Sequence, residues 1–274
     1  MITITTDFGT HDPYVAEMKG VILQINHHAT IVDISHEVEP QRVAQGAFLL
    51  GSAYPYFPSN AIHVAVVDPG VGTLRRAVLL VAPQGLFVAP DNGVLTYAVR
   101  ETAEYRGSGH GRRFLQPVEV PVPAGFSAYA LSNPDLWRHP VSDTFHGRDI
   151  FAPVAAHLSL GVSPEEVGDS LRSLVCLSIP HPRWEGNALR GHVIHVDRFG
   201  NLVTTVEGGS LPQRGVEVRL KSHRIAGLSR SYAEGPELLA IIGSHGTLEI
   251  AVRNGSAAQE LGADVGDVVV VEVS

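Results

Sequence analysis

Through the first third of the chain two hydrophobic periods alternate, and this limits the possible folds more than any other feature. Ile2 to Thr5 reads as a short strand. Behind Asp12-Pro13, Val15, Met18, Val21, Ile22 and Ile25 recur at helical spacing. Asp suits an N-cap there and Pro a first turn. A strand is expected near Thr30 to Ile34, then a helix beginning near Pro40 with Val43, Ala47 and Leu50 on its apolar stripe, then an apolar strand from Ile62 to Val67. Further strands are expected at Ala77 to Val81 and Gly85 to Ala89, with a helix after Asp91-Asn92-Gly93. Parallel neighbours need a crossover, and the intervening helix supplies it, so the pattern predicts an α/β unit with a mainly parallel sheet flanked by helices on both faces.

The pattern then changes. Residues 101–144 are rich in Gly, Pro and Arg and read as an irregular excursion over the surface, followed by a helix from Arg148 to Leu160. Pro180-His181-Pro182-Arg183 reads as a linker. Beyond it lie short strand patterns at Gly191 to Val196, Leu202 to Val206, Val216 to Leu220, Leu238 to Ile242, Thr247 to Val252 and Val268 to Val273. Short strands separated by turns predict a smaller all-β, barrel-like domain. The expected division is an α/β domain over 1–180 and a β domain over 185–274.

With 274 residues, 44% of them hydrophobic and 18% charged, the chain can bury a sizeable core. A net charge of -8 argues against nonspecific nucleic-acid binding, which needs a basic face. The lone Cys176 excludes an internal disulfide and a cysteine-built zinc site. No apolar run approaches the roughly 20 residues that span a bilayer, and Met1 to Thr6 lacks the features of a signal peptide. These readings predict a cytoplasmic protein with neither a nucleic-acid nor a membrane partner. Fourteen histidines are present, but no spacing among them supports a metal site. His192 and His195 fall on opposite faces of an expected strand, and His27-His28 sits in a polar turn.

Asp7, Asp33 and Asp68 each fall just past the end of an expected strand, where the ligand crevice of an open parallel sheet lies. Asp is also common in such turns as a cap. Asp68 is followed seven residues later by Arg75, and His146 by Arg148-Asp149. Two readings are open from the residues alone. The pairs brace turns, or folding brings an Asp, an Arg and a His together around a water molecule. No phosphate-binding G-x-x-x-x-G-K-[ST], no G-x-G-x-x-G after the first strand and no G-x-S-x-G elbow occurs.

Six ordered segments bear on that choice: Thr6-Asp7-Phe8-Gly9-Thr10-His11-Asp12, Val67-Asp68-Pro69-Gly70-Val71-Gly72-Thr73, Ala89-Pro90-Asp91-Asn92-Gly93, Thr144-Phe145-His146-Gly147-Arg148-Asp149, Asp197-Arg198-Phe199-Gly200-Asn201 and Gly243-Ser244-His245-Gly246. Together they resemble the motifs of the S-adenosyl-L-methionine (SAM) hydroxide adenosyltransferases, relatives of the fluorinase and chlorinase, over essentially the whole chain. The resemblance implies hydrolysis of SAM by attack of water or hydroxide on C5′ of the ribose, giving adenosine and L-methionine, with no cofactor and no metal. It implies a homotrimer with SAM bound where the N-terminal domain of one subunit meets the C-terminal domain of the next. Asp68, Arg75 and His146 would form the catalytic triad. Asp7 would hold the ribose diol, Asp197 the methionine ammonium and Ser244 its carboxylate. Asn201 would read the adenine edge, Phe199 would stack on the ring, and Arg253 and Asn254 would add adenine contacts. Asp12 and Asn92 complete the expected substrate-binding set.

Departures from the fluorinase pattern concern the halide. Asp68 stands where the fluorinase has a tyrosine, Val71 where it has a fluoride-holding threonine, and His146-Gly147 where it has a tyrosine and a halide-binding serine. His245 stands in place of an arginine. A hydrolase therefore fits better than a chlorinase-like halogenase. A SAM- or adenosine-binding sensor with incidental hydrolysis is the reading from a different functional class.

Overall fold

Ile2 and Ile4 on one face of the first strand and Thr3 and Thr5 on the other are all fully buried, so this strand lies inside a sheet covered on both sides. The computed structural model describes residues 1–108, 114–212 and 214–273. By internal contacts the chain divides into two units, Met1–Ser178 and Ile179–Ser274.

The first unit runs β1 (Ile2–Thr6), α1 (Tyr14–Ile25), β2 (Ile31–Ser35), α2 (Val43–Ala53), β3 (Ile62–Val66), β4 (Ala77–Ala82), β5 (Gly85–Pro90), α3 (Thr96–Val99), α4 (Ala103–Ser108), β6 (Pro117–Pro121), β7 (Ser127–Ala130), α5 (Ala152–Ser159) and β8 (Ser173–Leu177). Its main sheet has the order β2-β1-β3-β5-β4-β7. β2, β1, β3 and β5 are parallel, and β4 and β7 add an antiparallel edge. On one face Ile2, Ile4, Val64 and Val66 pack with Met18 and Ile22 of α1 and Val154 and Ala155 of α5. On the other, Val78, Leu80, Phe87 and Ala89 pack with Leu50 of α2 and Ala98 and Val99 of α3. The alternating side chains of each strand thus feed two cores.

Several sequence expectations are corrected here. Pro13, not Asp12, holds the N-cap position of α1, and no side-chain cap bond forms. The second helix starts at Val43, because Gln41 takes a left-handed conformation (φ 68°) that a helix cannot include. Residues 101–144 are not a plain surface excursion: β7 closes the edge of the main sheet, β6 pairs with β8, and Tyr105 is buried with its hydroxyl donating to the Leu177 carbonyl. Asp33 lies within β2, opposite Ile4, and not beyond the strand. The helix expected from Arg148 begins as a π-helical turn, Gly147–Phe151, that runs into α5.

The second unit contains β9 (Arg183–Glu185), β10 (Ala188–Val196), β11 (Leu202–Glu207), β12 (Val216–Leu220), β13 (His223–Ala226), β14 (Leu238–Ile242), β15 (Thr247–Val252), α6 (Ala257–Leu261) and β16 (Val268–Val273). The sheet order is β13-β12-β16-β10-β11-β15-β14, with β9 beside β10. A bridge from Ser229 to Ile241 brings the segment after β13 against β14, so the sheet nearly closes into a barrel. Leu189, Val193, Leu202, Val218, Leu248, Ile250 and Val269 fill its interior. Among the described residues no helix is long and apolar enough to cross a membrane.

Candidate active site

β1 and β3 are parallel neighbours, and their carboxyl ends deliver Asp7 and Asp68 to one crevice, as expected for an open α/β sheet. The crevice is a pocket of about 370 Å³. Asp7, Phe8 and Tyr14 line it from the first loop, Pro40 and Gln41 from the loop before α2, Val66, Asp68, Pro69 and Val71 from the end of β3, and Thr144, Phe145, His146 and Gly147 from the loop before the π-helical turn.

Asp68 and Arg75 are held by a tight turn in which the Val71 N–H donates to the Asp68 carbonyl and the Thr73 hydroxyl to that of Gly70. Gly72 has φ 75°, and a Cβ there would lie 2.5 Å from the Asp143 carbonyl. Only glycine allows this turn to approach the His146 loop so closely. Arg75 Nε donates to both Asp68 oxygens, at 2.9 and 3.0 Å, and its Nη2 donates to Asp68 Oδ2 as well. The same Nη2 donates to His146 Nδ1 at 2.8 Å. Folding therefore joins Asp68, Arg75 and His146 in one connected network, of which Asp68 and His146 line the pocket. Burial, and then the neighbouring Arg75 charge, holds the His146 pKa below its ordinary value.

The loop carrying His146 is anchored from beneath by Asp149, which is fully buried. Arg148 Nε and Nη2 donate to its two oxygens at 2.7 and 2.9 Å, Arg138 Nη1 donates at 3.2 Å, and the Ser142 N–H at 3.0 Å. Burial acts to raise the Asp149 pKa, but its hydrogen bonds, that from Arg148 foremost, bring it below the usual carboxylate range. Arg148 also donates to Glu17 of α1 at 2.9 Å. The wider π-helical turn that follows is a form of backbone often found at functional sites.

Across the pocket, Asp7 Oδ2 accepts from the Gln41 N–H at 2.8 Å. Burial, with the Asp68 charge acting in the same direction, raises the Asp7 pKa. Two other expected residues do not line this pocket. Asp12 is exposed. Asn92 braces the backbone, donating to the Val67 carbonyl at 2.8 Å and accepting from the Val94 N–H at 3.2 Å. Asp33, beside β1, pairs with Lys19 at 2.5 Å and His36 at 3.1 Å.

The remaining candidates lie on the second unit. Asp197 Oδ1 accepts from the N–H groups of Phe199 and Asn201 at 2.9 and 2.8 Å, and Asn201 Nδ2 donates to Oδ2 at 2.9 Å. This closed turn presents Phe199 with 77% of its surface exposed. Ser244 and His245 occupy the exposed β14–β15 turn. Arg253 donates to the Gly235 carbonyl, and Asn254 takes φ 60° in the turn after β15. A register shift in β10 between Val193 and His195 interrupts the alternation assumed for His192 and His195. Among the described residues no group of three or more His, Cys, Asp or Glu is arranged to hold a metal ion.

Sequence reasoning missed Gln41 and the aromatic lining. Phe8, Tyr14 and Phe145 form a mutually contacting trio, with ring centres 5.3 to 5.8 Å apart. The detectable signal is an aromatic residue directly after Asp7 and directly before His146, and a third at the start of α1.

Comparison with known proteins identifies the family. Residues 2–168 match the family model of the SAM hydroxide adenosyltransferase N-terminal domain, and residues 191–270 that of the C-terminal domain. The (R)-S-adenosyl-L-methionine hydrolase of Salinispora tropica is 38% identical over 97% of this chain and 95% of its own length. A more distant relative, the fluorinase of Actinoplanes sp., is 29% identical over 79% of this chain and 74% of its own length. A crystal structure of an uncharacterized conserved protein from Thermotoga maritima superimposes with a TM-score of 0.85 at 36% identity, covering 99% of both chains.

Proposed function

This chain belongs to the SAM hydroxide adenosyltransferase family, and from that membership we propose how its pocket acts. The protein hydrolyses S-adenosyl-L-methionine to adenosine and L-methionine by attack of water at C5′ of the ribose. The reading is carried by one observation: Asp68 and His146 line the pocket that also contains Asp7, and Arg75 joins them in a single hydrogen-bonded network. Val71 and Gly147 line the same pocket and offer no side-chain hydroxyl to a halide.

Expulsion of methionine as a neutral thioether requires no general acid. A water nucleophile must lose a proton as it attacks, so it needs an acceptor and a fixed orientation. Arg75 can only donate, so His146 Nδ1 must be the acceptor in their contact. The neutral imidazole then carries its proton on Nε2. His146 in this state is a donor that orients the water oxygen, and Asp68 is the acceptor that takes the proton. Arg75 holds Asp68 in place through its hydrogen bonds to both carboxylate oxygens.

Asp7 holds the ribose hydroxyls, since one carboxylate accepts from both members of a vicinal diol. Asp197 takes the ammonium and Ser244 the carboxylate of the methionine end, Phe199 stacks on adenine, and Asn201, Arg253 and Asn254 contact its edge. The exposed Phe199 ring supports this reading. Asp12 and Asn92 support the site from outside the pocket. The assembly is a cytoplasmic homotrimer in which each SAM is shared by two subunits, and the reaction uses no cofactor. The epimer consumed is (R) at sulfur, as the name of the Salinispora relative states for that protein. The test is incubation with each SAM epimer in chloride-free, heavy-oxygen water. Label at the 5′ oxygen of adenosine, from the (R) epimer, is expected. Intact SAM under these conditions would overturn the reading.

A further inference from the structure

Resting on that reading, we propose that Phe8 and Tyr14 recognise the positive sulfonium of SAM through their ring faces, and so decide that a charged substrate and not a neutral thioether occupies the pocket. Both rings line the pocket that holds Asp7 and Asp68. They contact each other at 5.8 Å between centres, and each meets Phe145 edge-to-face, at 5.6 Å for Phe8 and 5.3 Å for Tyr14. Edge-to-face packing directs the electropositive rim of one ring at the electron-rich face of the next and locks the trio as a rigid surface. Phe145 already carries the Arg148 guanidinium 5.0 Å from its centre, and Arg148 is fixed in turn by Asp149 and Glu17. That leaves Phe8 and Tyr14 as the open rings, and a ring face attracts a cation placed within about 6 Å of its centre.

The chemistry explains why rings suit this place better than a third carboxylate. The sulfonium loses its charge as the C5′–S bond breaks, so any group that stabilises the cation stabilises the ground state more than the transition state. A carboxylate beside sulfur would hold the cation strongly and raise the barrier, and would itself compete as a nucleophile at C5′. Aromatic faces hold the cation weakly and cannot attack. Their contribution is lost once the product is neutral methionine, which favours its release. The aromatic surface therefore acts on binding and selectivity, not on the chemical step.

The test compares SAM with S-adenosylhomocysteine, its neutral thioether analogue, as substrate and competitive inhibitor of the full-length protein. In Tyr14→Leu and Phe8→Leu the KM for SAM is expected to rise about 5- to 30-fold, or about 1–2 kcal/mol at 1.4 kcal/mol per factor of ten. The inhibition constant of S-adenosylhomocysteine changes less than about twofold, and kcat does not fall. Tyr14→Phe, which keeps the ring face, retains wild-type selectivity and controls for a folding defect. Parallel weakening of both ligands, or no change in either, overturns the proposal. Failure of the hydrolase reading is distinguishable, because the wild-type protein would then leave SAM intact before any variant is made.

Discussion

Arg75 Nη2 lies 2.8 Å from His146 Nδ1, and the direction of that hydrogen bond sets the protonation of the ring. A guanidinium has no acceptor, so Nδ1 keeps its lone pair. A second proton on the ring would force an N–H against the guanidinium. The lowered His146 pKa, due to burial and then to Arg75, agrees with this. A group whose folded pKa is depressed and whose neutral form is active loses activity as pH falls through that depressed value. The acid limb of kcat/KM is therefore predicted below pH ~6.5, the ordinary histidine value. His146→Gln, whose amide can still accept from Arg75 and donate to water, should retain at least about tenfold more activity than His146→Ala and lose this limb. A wild-type limb above that value, or the same limb in His146→Gln, contradicts the assignment.

Asp68 and Arg75 are the second relationship. Their side chains are only 5% and 11% exposed, so the pair is shielded from solvent. Asp68→Asn preserves the shape and a hydrogen bond to Arg75 but removes the proton acceptor. It is predicted to lower kcat by about 10²- to 10⁴-fold while the KM for SAM shifts only a few-fold. Steady-state kinetics beside a thermal melt separates chemistry from folding. A large KM change with intact kcat would instead make the pair a binding element.

Gly147 shows why the halide-type side chain is not simply a hydroxyl to be restored. A Cβ there would sit 3.2 Å from Met18 Sδ and from the Phe145 ring, and 3.4 Å from Phe8. Met18 and Phe145 are core residues that can shift little. Gly147→Ser is thus expected to destabilise the fold by about 1–3 kcal/mol through overpacking and to lower hydrolysis without yielding a 5′-chloro product in high chloride. Urea unfolding and product mass spectrometry read the two effects. A stable variant that halogenates would show that Gly147 alone separates the two chemistries.

The parts of this molecule legible in the sequence are those with strong local periodicity or fixed chemistry. β1, α1, β3 and most strands of the second unit follow from alternation and helical spacing, and Asp7 and Asp68 from their place after strands. Three features resisted for physical reasons. β7 is four residues, Ser127–Ala130, with no apolar alternation, and only its pairing with β4 makes it a strand. Gln41 adopts φ 68° without being glycine, a local strain that its N–H bond to Asp7 helps offset and that no residue preference announces. The contact of Arg75 with His146 spans 71 positions and arises only because Gly72 lets two loops meet.

His63 offers a stability test independent of the pocket. It is fully buried on β3, with Nδ1 bonded to the Thr3 hydroxyl at 2.8 Å and the ring stacked on Phe87 at 4.9 Å. Burial drives its pKa down to about 4 from 6.5. Between those values the unfolded chain binds the proton and the folded chain does not, so stability falls as pH falls. The contribution is complete above pH ~6.5 and is lost progressively toward pH ~4. At pH 5 the loss spans roughly one and a half pH units at about 1.36 kcal/mol each, or about 2 kcal/mol. Buried His195, whose pKa also falls to about 4, adds a similar loss in the second unit. Urea unfolding of the first unit, followed through Trp137 at pH 7.5 and pH 5, should show this loss in the wild type. In His63→Phe the pH dependence of that transition should flatten, even though the lost Thr3 bond lowers stability by about 1 kcal/mol at both values. An unchanged slope would mean that His63 is already neutral at pH 5 in the unfolded chain, or protonated in the folded one.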